Sequence, residues 1–419
     1  MQIFEIFFYL TIVLLPTQLG YHFWPDWTLV LGRRVDYLAP TLFLTDITII
    51  LTLVTWFVQK NTRSTIAKTI RAHKILLCVG ISLIVGNIFF SSNPTITLYK
   101  WGKVFEFLLF FYYIYTSKPS LKKIAYCFAA AILYSSIIAI PQLIRQQTIG
   151  GFFWFLGERT FTIDTPGIAK INWCWFSPRD CKELLRPYAT FPHPNILGGF
   201  LATSIPILIF TLQKEKNKLI RIFLMTSMIL GVCTLGISFS RSAWMIGSAT
   251  IFGILLLTTK KVWTTRIIGS ICIVTFLLFA WPYIGALNTG NESVFIRLDL
   301  ASAALRLFTL RPLTGVGLGT FLPNLPNVIQ IRDLYFLQPV HNIYLLFLSE
   351  TGIFGLIVAG IAAYLYKKSL HISKQMYVLI LPCIAIGLLG CIDHYSFTVQ
   401  QGQLLTACLF ALPFLKTNS

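Results

Sequence analysis

The residues most capable of chemistry lie where a long apolar helix is predicted to begin. The segment PVHNIYLLFLSETGIFGLI places His341 and Asn342 ahead of its apolar run and Glu350 within it. A neutral imidazole can accept a proton from a hydroxyl near neutral pH. The N-terminal end of a helix favours anionic groups through its N–H donors and its dipole. Together these features predict chemistry on a phosphate-bearing substrate, with Asn342 as a binding residue beside His341.

Two arginines are candidates to hold such an anion. Arg241 follows a short turn, and Ser238, Ser240 and Ser242 surround it with small polar groups. This setting suits an anion pocket, although an arginine that snorkels to lipid headgroups is the alternative. Arg297 lies in a predicted amphipathic helix, about 60° from the centre of the apolar stripe at 100° per residue, so it can face the protein. The stripe consists of Val294, Leu298, Ala301, Leu305 and Phe308.

Further candidates come from two other polar segments. His193 and Asn195 flank a proline in RPYATFPHPNILGGFL and either bind substrate or cap the helix that follows. Arg311 opens RPLTGVGLGTF and is a candidate for substrate binding; the glycines there predict a tight connection, since no strand precedes them as a nucleotide fold requires. Glu350 lies roughly 13 Å along its helix from His341 at 1.5 Å per residue, which predicts a structural role.

Composition shows that these residues belong to a membrane protein. The chain has 419 residues, of which 56% are hydrophobic and only 12% charged, with a mean hydropathy of +0.73. A soluble protein of this length would not tolerate such a surface. The net charge of +19 does not indicate a nucleic-acid partner. Short loops rich in Lys and Arg alternate with short loops poor in them, as the positive-inside rule requires.

The expected fold is an all-α polytopic transmembrane bundle of about twelve spans. The apolar runs are much longer than the strands of a membrane barrel. The basic loops place both termini in the cytoplasm. The predicted spans are 3–20, 40–59, 75–91, 98–116, 121–143, 195–212, 219–238, 242–257, 264–284, 341–366, 376–393 and 402–416. An outside-face amphipathic helix is expected in the large loop 285–340, between spans nine and ten.

Cys174 and Cys181 lie seven residues apart in the other large outside loop, 144–193. An oxidising compartment would allow a disulfide between them. No His/Cys/Asp cluster has metal-ligand spacing along the chain, so neither a metal nor another cofactor is expected.

Three carboxylates within or at the ends of predicted spans leave a second function class open. Asp46, Glu106 and Asp393 are costly there and would pair or line a polar cavity. Such groups also fit a transporter or flippase for a lipid-linked sugar. Two observations count against it: the two halves show no matching pair of broken segments, and the candidate residues gather at one face.

With these pieces in chain order, the sequence resembles the O-antigen ligase family, which shares a domain with the Wzy-type O-antigen polymerases. The resemblance is carried by SFSRSAW, by Arg297 upstream of RPLTGVGLGTF and by VHNIYLLFLSETGIFGL, with YATFPHPNILGGFL as a further match. The expected organisation is N-terminal helices and the first large outside loop over 1–184, a ligase-like membrane domain over 185–395, and a C-terminal span over 396–419.

The resemblance implies a metal-independent glycosyltransferase at the outer face of the cytoplasmic membrane. Its donor would be an undecaprenyl-diphosphate-linked glycan, and its acceptor the lipid A core in ligases, a carrier-linked glycan in polymerases or a protein in some relatives. His341 matches the family's essential histidine, Arg241 the arginine after the short outside turn, and Arg297 the arginine on the amphipathic helix. These motifs do not separate ligase from polymerase.

The chemistry of the residues fits this implication. Arginines hold phosphate in a forked, charge-assisted geometry. A positioned base is typically worth about 10²–10⁴-fold. The resulting hypothesis is that Arg241 and Arg297 hold the departing diphosphate while His341 deprotonates the acceptor, with inversion at the anomeric carbon.

Overall fold

The computed structural model describes residues 2–174, 181–258, 292–329 and 337–415. Within these ranges the chain is mostly helical, as predicted. The longer helices are α1 (Ile3–Val13), α2 (Leu44–Phe57), α3 (Lys60–Phe89), α4 (Pro94–Ser117), α5 (Leu121–Arg145), α6 (Pro194–Leu212), α7 (Lys218–Ile237), α8 (Arg241–Thr258), α9 (Glu292–Leu310), α10 (Ile343–Ser369), α11 (Lys374–Leu389) and α12 (Gln400–Ala411).

Six of the described helices are long and apolar enough to cross a membrane. They are residues Asn61–Phe89 of α3 together with the whole of α5, α6, α7, α8 and α10. Three shorter apolar helices, α1, α2 and Gln375–Leu389 of α11, accompany them. The membrane-protein prediction agrees with this composition, whereas the count of about twelve spans stays a prediction. The predicted span 264–284 lies outside the described residues.

In the described residues, three antiparallel two-stranded ladders accompany the helices, which the all-helical expectation did not include. They are β1 (Gly20–His22) with β4 (Thr41–Phe43), β2 (Leu29–Val30) with β3 (Arg33–Arg34), and β5 (Lys170–Cys174) with β6 (Cys181–Leu185). The backbone register of the last ladder sets Cys174 opposite Cys181. The side chains of these two residues are not described, so their disulfide stays a prediction.

The helical bundle packs around α6, which is apolar and buried on all its sides. At Gly199 the absence of a side chain is required, because an added Cβ would lie 1.7 Å from the hydroxyl oxygen of Tyr395. Tyr395 begins a short helical turn, Tyr395–Thr398, after α11. This close approach brings the beginning of α6 next to the residues that follow α11.

A second apolar cluster joins α9 to the beginning of α10. Buried residues from the β2–β3 hairpin, from α9 and from the segment before α10 pack together there. Its members include Val30, Leu38, Ile96, Leu300, Leu307, Phe321, Val340 and Leu346. Because Val340 belongs to this cluster, the backbone on the N-terminal side of His341 is fixed by packing.

The helix α9 lies in the large loop where an amphipathic helix was predicted, but the apolar stripe was assigned to the wrong side. Leu298 and Leu305 of that stripe are 61% and 49% exposed. The opposite apolar set packs against the protein instead. It consists of Leu300, Ala303, Ala304 and Leu307. The placement of the exposed side on a membrane surface stays a prediction.

The glycine-rich segment RPLTGVGLGTF packs against an interruption in α10. The helix breaks at Gly352, whose φ is 59° and ψ is −153°. Val316 N donates to the Ser349 carbonyl at 3.0 Å, and Ile353 N donates to the Pro312 carbonyl at 2.9 Å. The segment therefore satisfies backbone groups that the break releases, as buried peptide groups require.

Two of the carboxylates that were predicted to lie within spans share one lysine. Lys103 Nζ lies 2.7 Å from Asp46 Oδ1 and 2.7 Å from Glu106 Oε2, and the three side chains are 4–17% exposed. The amide of Gln400 also donates to Asp46. These contacts agree with the expectation that intramembrane carboxylates pair or line a polar cavity.

Removal of this lysine is expected to be costly to stability. Lys103→Met should lower the free energy of unfolding by about 3–5 kcal/mol, because it leaves buried carboxylates without their cation. Lys170→Met is the control, since the Lys170–Glu183 pair is more exposed, at 28% and 53%, and such pairs contribute about 0–1 kcal/mol. Thermal unfolding in detergent measures both variants. Equal losses would contradict the argument.

Candidate active site

A cavity of about 500 Å³ lies beside His341. Its wall comes from the β1–β4 ladder, α4, the turn after α5, the beginning of α6 and the chain after α11. Sites for small ligands typically measure about 300–1,000 Å³. The histidines and their polar neighbours at one end of the cavity are His193, Asn195, His341, Asp393 and His394.

His341 precedes α10 by two residues, and Asn342 is the cap between them. The side-chain oxygen of Asn342 accepts hydrogen bonds from Tyr344 N and Leu345 N, both at 3.0 Å, and its Nδ2 donates to the Cys391 carbonyl at 3.2 Å. Such a cap stabilises the first turn of a helix. Asn342 is not among the residues that line the cavity. The structure therefore gives it contacts that orient His341 rather than substrate contacts.

The His341 ring is half-buried and lines the cavity. Its Nδ1 has no hydrogen-bond partner among the described residues. The His394 ring contacts it edge-on, with centroids 5.2 Å apart and an interplanar angle of 74°. An imidazole whose nitrogen has no protein donor is able to take a proton from a hydroxyl.

Asp393 is a further candidate residue, which the sequence placed among the carboxylates that fit a transporter. It is buried, and its carboxylate accepts hydrogen bonds from His394 N at 2.8 Å and from Asn195 Nδ2 at 2.9 Å. The signal in the sequence was an Asp-His pair directly after an apolar helix. Nothing in that pair alone indicated contact with His341.

Of the two roles left open for His193 and Asn195, the structure shows the helix cap, which His193 forms, while substrate binding stays a prediction. His193 caps α6, because its Nδ1 accepts a hydrogen bond from Asn195 N at 3.1 Å. Asn195 Oδ1 accepts from Arg186 at 2.7 Å, and Arg186 Nε donates to the Ser238 carbonyl at 3.0 Å. Both residues also line the cavity. Asn195 thus connects Asp393 to the turn that precedes α8.

Burial and neighbouring charges make His341 a neutral base. Burial lowers the pKa of His341 to about 4; Asp393 opposes this effect, and His394 and Arg297 add to it. Burial likewise lowers the pKa of His193 to about 3, with Arg186 contributing in the same direction. For Asp393, burial raises the pKa, but the three histidines and Asn195 together bring it below its ordinary value. At neutral pH the cluster therefore holds one carboxylate among neutral imidazoles.

This arrangement predicts an unusual pH dependence. With neutral His341 as the predicted base, the kcat/KM of the reaction should stay level as the pH falls through 6.5 and should drop near pH 4. The same lowered pKa also stabilises the folded protein above pH 6.5. This contribution is lost as the pH falls through the pKa of His341 in the folded state. Rates must therefore be measured on protein shown to be folded at each pH. A rate that halves near pH 6.5 would contradict the assignment.

The three predicted arginines lie outside the lining of the cavity. Arg297 is exposed on α9, and its positive charge contributes to the lowered pKa of both His341 and His394, so it lies near them. Arg241 is the first residue of α8, three residues after Ser238. Arg311 Nη1 donates to the Phe90 carbonyl at 2.8 Å, which is a structural contact. The structure thus brings Arg297 towards the histidines and not Arg311.

Glu350 is buried within α10. Its Oε1 accepts a hydrogen bond from Phe321 N at 3.1 Å. The backbone of the glycine-rich segment passes directly beside it, since an added Cβ at Gly315 would lie 2.3 Å from the Glu350 carbonyl carbon. These contacts support the structural role predicted for Glu350.

One group in this site has the geometry to hold a metal ion. One ligand atom each from His341, Asp393 and His394 lies within 4.8 Å of the other two. No such group was expected from the sequence, because these residues have no metal-ligand spacing along the chain and only the fold brings them together. The His394 Nδ1 already contacts Thr398 Oγ1 at 2.7 Å. The absence of a metal requirement is therefore a prediction that a chelator must test.

Comparison with known proteins points to one family. Residues 226–360 match the family model described as O-antigen ligase. The match is narrower than the resemblance seen over 185–395, and it includes Arg241, Arg297 and His341 but not Asp393. A search of curated proteins found no match. The matched segment contains Arg241, Arg297 and the histidine motif, so this part of the chain is similar to the O-antigen ligase family.

Proposed function

We propose that the protein transfers a glycan from an undecaprenyl diphosphate carrier to an acceptor hydroxyl at the outer face of the cytoplasmic membrane. In this role it would serve the biosynthesis of lipopolysaccharide or another surface polysaccharide. The observation that carries the proposal is the position of His341. It lies within the family match, lines a cavity of ligand size and is grouped with Asp393 and His394.

The reaction is one displacement at the anomeric carbon. The neutral imidazole of His341 takes the proton of the acceptor hydroxyl, and the hydroxyl oxygen forms the new glycosidic bond. The bond from the anomeric carbon to the diphosphate oxygen breaks, and the diphosphate leaves with the electron pair. Configuration is inverted as a result. The ionised Asp393 stabilises the imidazolium that forms, because opposite charges a few ångströms apart attract strongly when buried.

The departing diphosphate is assigned to Arg297 and Arg241. The effect of Arg297 on the neighbouring histidines supports this assignment, since the base and the leaving diphosphate flank the same anomeric carbon from opposite faces. Arg241 enters through its position in the matched segment. Arg311 and Asn342, which were expected to bind substrate, act structurally in this proposal. His193 and Asn195 keep a substrate-facing role because they line the cavity.

The charge of Arg297 is expected to matter more than its bulk. Arg297→Gln should lower kcat/KM for the carrier-linked donor by about 10–100-fold, because hydrogen bonds to charged groups contribute about 1.5–3 kcal/mol. Arg306→Gln on the same helix is the matched control, since Arg306 donates to the Val328 carbonyl instead. Equal losses in both variants would show that the helix, rather than the phosphate contact, is the cause.

The proposed function is tested by transfer in a defined system. Purified protein in detergent with chelator is given an undecaprenyl-diphosphate-linked glycan and, in separate reactions, a lipid A core, a second carrier-linked glycan or a protein. Release of undecaprenyl diphosphate with an inverted product supports the proposal, and the acceptor that gains sugar separates ligase from polymerase. A retained configuration, or activity lost with the chelator and restored by a metal, would overturn the stated mechanism. Movement of intact carrier-linked glycan across vesicles without transfer would establish a transporter.

A further inference from the structure

Several glutamines also line the cavity. We name Gln18, Gln400, Gln401 and Gln403 the glutamine wall. Three of them occur in the run QQGQ at the beginning of α12. An amide side chain carries two donor hydrogens and one acceptor oxygen, which suits it to hydroxyl groups. The proposed chemistry gives this wall no task.

The amide nitrogens of the wall are all bonded to the protein. Gln18 Nε2 donates to the Gly157 carbonyl at 3.1 Å, and Gln401 Nε2 donates to the Thr17 carbonyl at 3.0 Å. Gln403 Nε2 donates to the Phe397 carbonyl at 2.6 Å. Gln400 Nε2 donates to Thr45 Oγ1 and to the carboxylate of Asp46. Because these partners are acceptors, each amide presents its nitrogen to the protein and keeps its oxygen for another partner.

One of these oxygens has no partner at all among the described residues. Gln400 is only 4% exposed, and its Oε1 is buried without a hydrogen bond. A buried acceptor without a donor is unfavourable, and native proteins rarely retain one without a reason. A ligand hydroxyl that donates to this oxygen would remove the penalty. The wall is thus complementary to a ligand that brings hydrogen-bond donors.

The charges around the cavity balance, which excludes a strong preference for anions. Three cationic side chains line it, and three carboxylates line it as well. The cations are Lys100, Lys103 and Arg159, and the carboxylates are Asp36, Glu158 and Asp393. Two of the cations already have protein partners, because Lys103 bonds Asp46 and Glu106 and Lys100 donates to the Tyr37 carbonyl. An array of acceptor oxygens in such a setting repels carboxylate and phosphate and favours uncharged hydroxyls.

Aromatic rings complete the lining. Tyr37, Tyr99 and Trp154 all contribute to the cavity wall. Aromatic faces pack against the C–H faces of a sugar ring, while the amides bond its hydroxyls; concave sites commonly combine apolar walls with a few placed polar groups. The anionic diphosphate, in contrast, belongs with Arg297 near the histidines. The glutamines and the histidine cluster thus differ in the chemistry that they favour.

We propose that the glutamine wall is a saccharide subsite, which holds an uncharged, hydroxyl-rich sugar through hydrogen bonds to the side-chain oxygens of Gln400, Gln401 and Gln403. The sugar belongs either to the donor glycan or to the acceptor, since both have this chemistry. This inference rests on the proposed function and adds to it the sugar class and the residues that select it.

Binding of free sugars tests the subsite without any transfer reaction. Native protein in nanodiscs is titrated with uncharged hexose and N-acetylhexosamine disaccharides and with uronic-acid disaccharides of the same size, and dissociation constants are measured by saturation-transfer NMR. At least one uncharged disaccharide should bind, and its uronic-acid counterpart should bind about tenfold more weakly or worse. Uronic-acid sugars that bind as tightly, or a lack of binding by every uncharged sugar, would overturn the proposal.

Substitutions in the glutamine wall then test whether its side chains contact the bound disaccharide. Gln403→Leu and Gln401→Leu should each weaken disaccharide binding about tenfold, the cost of one hydrogen bond of ordinary strength. Gln213→Leu is the control, because Gln213 is exposed, forms a hydrogen bond with Thr258 and does not line the cavity. Unchanged binding in both wall variants would overturn the inference. Deoxy-sugars on the native protein give the same test if a variant unfolds, since loss of the bonded hydroxyl should also cost about tenfold.

Turnover then separates the two sources of sugar and the two proposals. A bound disaccharide should compete with the carrier-linked donor or with the acceptor, and the competing substrate is the one that occupies the wall. If native protein binds uncharged disaccharides but never releases undecaprenyl diphosphate, the subsite stands and the proposed transfer fails. If transfer proceeds with no effect of the wall variants on either KM, the transfer stands and the subsite fails.

Discussion

His341→Ala is expected to abolish transfer, with a fall in kcat of about 10²–10⁴-fold, the usual contribution of a positioned general base. The ring lines the cavity, its Nδ1 has no partner among the described residues, and its lowered pKa keeps it neutral at the working pH. The loss should appear in kcat rather than in the KM for either substrate, since proton transfer occurs in the transition state. Release of undecaprenyl diphosphate from a carrier-linked glycan measures it.

The control for this prediction is His371→Ala. His371 is exposed in the loop between α10 and α11, so its loss tests for general effects of removing a histidine. Both variants should have the same unfolding temperature as the native protein. A His341→Ala variant that is folded and retains more than a tenth of native kcat would show that another group is the base.

Asp393→Asn is expected to reduce kcat by about 10²-fold, the scale of loss when a catalytic group is slightly misplaced. The change removes the carboxylate that accepts hydrogen bonds from His394 N and Asn195 Nδ2 and that lies within 4.8 Å of the His341 ring. It also removes the one charge that raises the pKa of His341. The acidic limb of the kcat/KM profile should therefore move to lower pH than in the native protein.

The shift of the pH profile separates two roles for Asp393. If the residue only supports the fold, Asp393→Asn will lower the temperature of unfolding and leave the midpoint of the acidic limb unchanged. Asn195→Ala serves as the companion variant, because it removes one donor to Asp393 while keeping the carboxylate. A limb that moves to higher pH in Asp393→Asn would contradict the electrostatic argument.

The parts of the site that lie in continuous motifs were predictable from the sequence. His341 and Asn342 stand at a helix mouth, and the cap that Asn342 forms follows from local preferences alone. The contribution of Asp393 was not predictable, since its contacts with Asn195 and His341 join segments that are distant along the chain. The same holds for the group of His341, Asp393 and His394, because their spacing along the chain does not predict a metal site.

The fold shows the same division between local and long-range information. Apolar length identified helices such as α5, α6 and α10, because a membrane-spanning helix is a property of its own residues. The protein-facing side of α9 was predicted wrongly, because both of its sides carry apolar residues and only packing against Val316 and Phe321 selects one. The break at Gly352 depends on the carbonyls of Pro312 and Leu313, which a reading of the helix alone does not include.

The most direct test of the central claim is to locate the glycan of the donor on the protein. An undecaprenyl-diphosphate-linked glycan that carries a photoreactive group on its first sugar is bound to His341→Ala, irradiated, and mapped by mass spectrometry. Adducts are expected on cavity-lining residues near Asp393 and His394, with competition by unlabelled donor. Adducts confined to residues outside the cavity, such as those around Arg311 and Phe90, would contradict it.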